Sequence, residues 1–313
     1  MRILVTGGAG YIGSSCVKAL CEKGHIVCVV DNLSKGVLDN VDARAEFFKL
    51  DITDSKKLDD LFSNKNFDAI VHFAAYKAVG ESMDNPSKYS DNIKGTLNIL
   101  DSMVRHNVKK IVFSSSAAVY DDNNSIVTEL SPLYPKSYYG YTKKAGEELI
   151  EWYSKTHGIT GISLRYFNVA GDYGLGYIDP EPENVLPIMM EVLTGKRDEF
   201  MVYGDDYDTR DGTCIRDYIH IIDLVDAHVL ALSLNETMIL NLGTGNGTSV
   251  MELVHSALKI DSSFKYKIGP RRKGDGAMLV ADNSKAKKIM GWSPKHNIDE
   301  MLKSTFKAYT NNE

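Results

Sequence analysis

Tyr139 and Lys143 stand four residues apart in the run Lys136-Ser137-Tyr138-Tyr139-Gly140-Tyr141-Thr142-Lys143, which continues with helical spacing through Glu147, Leu149, Ile150 and Tyr153 to Lys155. Four residues make about one helical turn, so phenol and ammonium share a face. Of 17 tyrosines, only Tyr139 has a lysine at that distance. The pair is either an exposed side-chain contact or a tuned base: a phenol titrates near ~10, and a cation one turn away favours its ionised form. Upstream, Ser114-Ser115-Ser116 close the apolar run Lys110 to Ser114. A hydroxyl such as that of Ser116 can hold a reacting oxygen and relay its proton. Together the three side chains suit removal of an alcohol proton beside a hydride acceptor.

Such chemistry needs a nicotinamide site, and the amino terminus supplies its signature. Ile3-Leu4-Val5 is a short β-branched run. It passes through Thr6-Gly7-Gly8-Ala9-Gly10-Tyr11-Ile12-Gly13 into a helical segment, Ser14 to Lys23, and then a second apolar run from Ile26 to Val30 that ends at Asp31. Strand, glycine turn, helix, strand and acid form a dinucleotide-binding pattern. Gly7, Gly10 and Gly13 allow a tight turn, close approach of backbone to a pyrophosphate and close helix packing. The helix N-terminus offers backbone N–H groups to the phosphates, and Tyr11 and Ile12 in the glycine run before it are expected cofactor contacts as well. Asp31 would accept hydrogen bonds from an adenosine ribose and repel a 2′-phosphate, so NAD is expected rather than NADP.

The remaining elements repeat the strand and helix rhythm. A polar loop runs from Asn32 to Asp42, then a strand from Glu46 to Leu50 closes in Asp51-Ile52. Asp51 either hydrogen-bonds an adenine amino group or caps the next helix, Ser55 to Phe62. The strand Asp68 to Ala74 carries Phe73 and leads to Ala74-Ala75, small enough for close cofactor approach. Next comes Lys77, either a solvated cation or a phosphate or diol contact. Asn92, in the helix Tyr89 to Arg105, faces either the cofactor or solvent. A loop from Asp121 to Pro135 precedes the Tyr139 helix, and Gly161 to Phe167 is a further strand.

After Asp172 the rhythm breaks and prolines gather. The expected architecture is α/β: a doubly wound parallel sheet with a smaller α/β substrate lobe. The expected boundaries are residues 1–171 for the nucleotide domain, with 216–246 returning to it, and 172–215 plus 247–313 for the substrate lobe. In that second part we expect a helix over Val185 to Thr194, a segment Phe200 to Gly204, a helix Ile222 to Leu234 and a strand Met238 to Leu242. Two helical stretches should then flank a polar turn, Arg271-Arg272-Lys273-Gly274-Asp275.

Bulk properties narrow the partners. The 313 residues carry a net charge of −6, which argues against nucleic acid or an anionic membrane as partner. Any polyanionic ligand must meet locally placed basic residues. Cys16, Cys21, Cys28 and Cys214 show neither metal-ligand spacing nor a disulfide framework, so they read as reduced, buried thiols. No apolar run approaches the ~20 residues of a membrane span, and the chain begins directly on a strand. A cytoplasmic location and no metal are expected.

Several blocks taken together resemble the sugar-nucleotide 4-epimerases of the extended short-chain dehydrogenase family. They are the glycine run Thr6 to Gly13, His72-Phe73-Ala74-Ala75 with Lys77-Ala78-Val79-Gly80-Glu81-Ser82, Phe113-Ser114-Ser115-Ser116-Ala117, Tyr139 with Lys143, Arg165-Tyr166-Phe167-Asn168, and Arg216-Asp217-Tyr218-Ile219-His220. The resemblance implies a redox-neutral reaction. Tyr139, assisted by Ser116, removes the C4 hydroxyl proton of a UDP-hexose while hydride passes to tightly held NAD. The 4-keto sugar turns over and takes the hydride back on its other face, interconverting UDP-galactose and UDP-glucose. The resemblance further implies cofactor contacts at Asn32, Ile52, Ser114 and Phe167 and a homodimer. It places UDP contacts at Asn168, Asn184, Val185, the segment Met201-Val202-Tyr203, Arg216, Tyr218, Arg272 and Asp275. Two arginines suit a pyrophosphate in an acidic protein.

The chain departs from that pattern in places. Ser15 stands where many relatives have histidine, and Asp121 where glycine is common. Leu279 occupies a pocket-wall position held in relatives by a large aromatic or a smaller residue, and its volume leaves room for a 2-acetamido group. Rival readings are a 4-epimerase of another nucleotide sugar, such as UDP-glucuronate, a plain dehydrogenase, and a nucleotide-sugar dehydratase. The last wants an Asp-Glu pair where this chain has Ala117-Ala118. An NAD-sensing regulatory module would lack Tyr139 or Lys143, and both are present.

Overall fold

A computed structural model describes residues 1–121, 125–179, 184–272 and 274–310. The chain forms two compact units. Met1–Asp121, Pro132–Arg165 and Val225–Leu240 make the first, and Asp122–Ser131, Tyr166–Leu224 and Asn241–Glu313 the second. The passage out of the first unit therefore falls at Arg165, earlier than residue 171. The returning segment begins at Val225 rather than at 216.

The first unit is built on a seven-stranded sheet. Its strands are β1 (Arg2–Thr6), β2 (Ile26–Asp31), β3 (Glu46–Lys49), β4 (Ala69–His72), β5 (Lys110–Ser114), β6 (Thr160–Tyr166) and β7 (Met238–Leu242), in spatial order β7-β6-β5-β4-β1-β2-β3. Strands β1 to β6 pair in parallel. Parallel strands are covered on both faces, which is why β1, β4 and β5 read as unbroken apolar runs rather than alternating ones. Leu4, Ile70, Ile111 and Phe113 join Leu58, Leu100, Met103 and Ile150 from the flanking helices in one core. The order reverses between β1 and β4, and the carboxyl ends of those strands are where doubly wound sheets bind ligands.

Caps explain where sequence and structure part at helix ends. The first helix spans Tyr11–Glu22, three residues earlier than expected, because Gly10 supplies an extended residue and the turn closes on it. Asp54 caps Ser55–Asn64 by accepting from the Lys57 N–H, so Asp51 is not the cap. Asn85 and Pro86 start Pro86–Arg105, and a separate short helix, Val79–Asp84, follows Lys77. Ser137 accepts from the Gly140 N–H at 3.1 Å and begins Tyr138–His157, which Gly158 ends in the left-handed region.

The second unit holds a four-stranded sheet ordered Thr248–Ser249, Ile215–Arg216, Met278–Ala281 and Ser125–Val127, with two two-stranded pairs beside it. Ser125–Val127 lies in the stretch expected to be loop, and the tail contains the strands Tyr266–Gly269 and Met278–Ala281 as well as helices. These strands of two to four residues are too short to show a period. The helices Val185–Leu193, Val250–Ile260 and Ile298–Thr310 enclose a second core around Leu186, Met190, Val202, Leu253 and Leu302.

Candidate active site

The glycine turn after β1 is shaped by backbone contact. Gly7 has φ +71°, and a Cβ there would lie 2.6 Å from the Ala74 nitrogen. A Cβ on Gly13 would meet the Gly7 carbonyl oxygen at 2.0 Å. The Phe73 and Ala74 N–H groups both donate to the Thr6 carbonyl, which joins the ends of β1 and β4. At Gly10 a Cβ would find only the Gly7 oxygen, at 3.4 Å, so space is left at the start of the helix where the Tyr11 and Ile12 N–H groups lie. An open cradle at a helix start fits a pyrophosphate.

Asp31 is 8 % exposed, and its carboxylate accepts from the Ala9 N–H at 3.0 Å and the Leu33 N–H at 2.8 Å. The latter bond holds Leu33 at φ +59°. A carboxylate offers about four lone-pair directions, so acceptor capacity remains for a ribose. Asp51 accepts from Asn32 Nδ2 at 2.9 Å and from the Thr53 N–H and hydroxyl. Burial pushes its carboxyl up, but these bonds outweigh it and hold it below the usual range. Asn32 and Asp51 thus brace each other. Ile52 packs where Gly95 leaves room, its carbonyl accepting from Asn98.

Asn92 does not face solvent. It is 6 % exposed, and its amide accepts from the Tyr76 N–H at 2.9 Å and donates to the Tyr76 carbonyl at 3.0 Å and to Thr142 at 3.2 Å. It clamps the residue before Lys77, which is exposed. Ser82 accepts from the Tyr139 N–H at 3.1 Å, tying the segment after Lys77 to the start of the Tyr139 helix.

Ser116, Tyr139 and Lys143 come together as their spacing implied. The Ser116 hydroxyl accepts from the Ala118 N–H at 3.1 Å and stands near enough to the Tyr139 phenol to favour its ionised form. Lys143 is 4 % exposed and donates to the Ser114 carbonyl at 2.7 Å, with Nζ 5.8 Å from the centre of the Tyr139 ring. Burial pushes the lysine down to about 7, with Glu147 opposing. Burial also pushes the phenol up from its ordinary value, and Ser116 pulls the other way. The expectation that Lys143 governs the phenol's ionisation therefore meets a competing effect: desolvation dominates at Tyr139.

Two buried residues to which the sequence assigns no role of their own lie beside these. His72, buried at the end of β4, bonds Thr6 at 2.7 Å and Thr96 at 3.0 Å, and burial pushes it down to about 3, so it is neutral. Glu147 forms a buried ion pair with Arg165. Its place one turn after Lys143 was a legible signal.

The second unit gathers the other expected residues in smaller groups. Arg216 and Leu279 are register partners on adjacent parallel strands, so their side chains leave the same face of the sheet. Leu279 is half-buried. Phe200–Tyr203 pairs with Tyr266–Gly269, and Val202 is fully buried, leaving its backbone as the part able to meet a ligand. Tyr203 is 41 % exposed and lies under the Arg272 guanidinium, 4.6 Å from its ring centre. Asp275 and Asn184 are exposed, and Val185 starts the helix Val185–Leu193. Asn168 donates to the Asp217 carbonyl and pairs with Tyr218, while Phe167 is 8 % exposed. Tyr218 is buried and borders a cavity of about 730 Å³ lined by Thr244, His255, Lys259, His296 and Met301, to which Arg216, Arg272 and Leu279 do not contribute. Asp217, unremarked in the sequence beyond its motif, is a buried organiser. It accepts from Thr244, Gly245 and Ala281 backbone N–H groups, and burial pushes its carboxyl up against those bonds.

The pattern of the NAD dependent epimerase/dehydratase family matches residues 3–243. The chain belongs to this family. A protein named UDP-glucose 4-epimerase from Lacticaseibacillus casei is 42 % identical over 322 residues, covering 99 % of this chain and 97 % of its own. The crystal structure of UDP-glucose 4-epimerase from Bifidobacterium longum in complex with NAD+ and UDP is 37 % identical with a TM-score of 0.92, covering 100 % of this chain and 99 % of that one. The UDP-Glc/GlcNAc 4-epimerase of Campylobacter jejuni is 40 % identical with a TM-score of 0.89, covering 99 % of each chain. The cradle at Gly7 to Gly13 and the buried Asp31 carboxylate fit the dinucleotide that the family uses.

Proposed function

We infer that this chain is an NAD-dependent isomerase that interconverts UDP-galactose and UDP-glucose by inverting C4 through a transient 4-keto sugar. The observation that carries the reading is the buried Tyr139 phenol with Ser116 beside it and Lys143 one turn away, in a chain of the epimerase/dehydratase family. NAD, when bound, supplies the positive charge of its oxidised ring and takes up and returns the C4 hydride. Tyr139 accepts the C4 hydroxyl proton, and Ser116 holds that oxygen and relays the proton. Lys143 supplies positive charge near the phenol, opposing the effect of its burial. In the second half-reaction the same proton returns from Tyr139 to the new hydroxyl.

Gly7, Gly10, Tyr11, Ile12, Gly13 and Asp31 would hold the cofactor's pyrophosphate and ribose, with Phe73, Ala74, Ala75 and Lys77 beside them. The second unit is the UDP-sugar lobe in this reading: Arg216 and Arg272 neutralise the pyrophosphate and the Met201–Tyr203 backbone meets uracil. Leu279, half-buried beside Arg216 in register, leaves room for a 2-acetamido group, so UDP-N-acetylhexosamines are further substrates. Failure to turn over UDP-N-acetylgalactosamine would remove that extension alone.

The chain acts as a homodimer. Support comes from Leu97, Tyr141 and Trp152, exposed at 37, 48 and 63 % on the helices Pro86–Arg105 and Tyr138–His157. Sedimentation of a Trp152→Glu variant as a monomer would bear this out, and a wild-type monomer would refute it. A cytoplasmic location accords with four unpaired, buried cysteines. The deciding test is to denature the purified protein and assay released NAD, then incubate native protein with UDP-galactose and no added cofactor. Bound NAD and UDP-glucose formation are expected, and dependence on added NAD with NADH accumulating would sink the reading.

A further inference from the structure

Arg165 opens a motif of which only the later residues enter the reading above, and Ser115 sits in the hydroxyl cluster without a role. Both converge on Glu147. Arg165 Nε and Nη2 donate to the two carboxylate oxygens at 2.8 and 2.6 Å, and Arg165 Nη1 donates to the Tyr120 hydroxyl at 2.8 Å. The Ser115 hydroxyl donates to the same carboxylate. Arg165 is 1 % exposed and Glu147 5 %. A buried pair of this kind is seldom worth more to stability than apolar side chains of the same volume, so packing alone does not account for it.

The pair has a charged neighbour. Lys143 lies one turn before Glu147 on the same helix and is itself buried. Around it are the Ser114 carbonyl and, 5.2 Å from Nζ, the Phe113 ring, both from β5, together with the Tyr139 ring from its own helix. His72 from β4 also feels the lysine's charge but is neutral. Arg165, from β6, is held on the carboxylate. Glu147 is the charge that opposes the cost of burying Lys143.

We propose that Glu147 is a positioning residue for the reaction: anchored by Arg165 and Ser115, it keeps the buried Lys143 ammonium charged and fixed one turn from Tyr139. Its effect on turnover rests on the epimerase reading, whereas its effect on Lys143 does not. Without Glu147 the lysine loses its proton at lower pH, and the positive charge that favours phenolate goes with it.

The test follows the ε-carbon resonance of Lys143 against pH in isotope-labelled holoprotein, assigned with Lys143→Met, alongside kcat and KM for UDP-galactose across pH. It compares the wild type with Glu147→Gln and with Glu147→Gln/Arg165→Gln, which leaves no stranded guanidinium. In both variants the lysine titration should move down by about one unit or more, and the high-pH fall in kcat should move with it, at a KM within about twofold. A folded double variant with an unmoved titration and pH profile overturns the proposal. If Glu147→Gln alone fails to fold, the double variant decides. If neither folds, Glu147→Asp is read instead: an intermediate shift supports the proposal and an unmoved titration overturns it. Absence of epimerisation by the wild type would overturn the activity reading while the resonance still reports on Glu147.

Discussion

The helix that carries Tyr139 in the first unit and the residues proposed to grip UDP in the second are built in opposite ways. Lys143 and Glu147 are buried, their polar atoms taken up by Ser114, Ser115 and Arg165. In the second unit Tyr203 is 41 % exposed, and Arg272 and Asp275 are exposed as well, with a stacking contact holding Arg272. The difference suits the proposed reaction. A proton-transfer group must be preorganised to a fraction of an ångström, whereas groups that grip a diphosphate can close on it through charge. A sugar that has to turn between two hydride transfers needs rigid chemistry and a firm hold only on its nucleotide.

That contrast can be broken by experiment. Tyr139→Phe should lower kcat by ~10²–10⁴-fold with UDP affinity unchanged by calorimetry; a variant that keeps most of its activity would remove Tyr139 as the base. Arg216→Ala and Arg272→Ala should do the reverse, raising KM for UDP-galactose by ~10–100-fold at nearly constant kcat. A fall in kcat at constant KM would mean that the second unit shapes the chemistry too. Leu279→Tyr should lower the ratio of UDP-N-acetylgalactosamine to UDP-galactose turnover by about tenfold, and an unchanged ratio would show that Leu279 does not wall the pocket.

The smallest effect concerns stability. Burial holds Lys143 at about 7 against an ordinary 10.5. Its protonated form is therefore disfavoured in the folded chain: the penalty is full below pH 7, shrinks as pH rises from 7 to 10.5, and vanishes above. Cofactor-free Lys143→Met should accordingly have a Tm a few degrees above wild type at pH 6, with the gap narrowing by pH 9. A gap that widens with pH would contradict the burial argument.

How legible each part was follows from local signal. β5 and β7 coincide with their expected spans because the short apolar runs Ile111-Val112-Phe113 and Met238-Ile239-Leu240 mark them. The Tyr139 to Lys143 spacing reports a helical face directly, and the glycine run reports a turn that only glycine fills at Gly7. Helix starts were misplaced at Gly10, where the turn closes on an extended glycine, and at Asn85, where a cap overrides propensity; the start at Ser55 fell where expected, and only its cap, Asp54, went unread. The second unit resisted reading because Ile215–Arg216 and Asn168–Ala170 owe their form to partners distant in sequence. The burial of Asn92 was hidden because nothing local announces its bonds to Tyr76 and Thr142. The Glu147–Arg165 pair joins a helix to a strand, and only folding puts them together.

The central claim is that one hydride leaves C4 and returns to it within a single active site. Incubating the purified protein with UDP-galactose deuterated at C4, without added cofactor, and following UDP-glucose by proton and deuterium NMR tests this directly. The account requires UDP-glucose that retains the deuterium at C4 with no lasting build-up of NADH. Loss of the label to solvent, or a free 4-keto product with accumulating reduced cofactor, would contradict it.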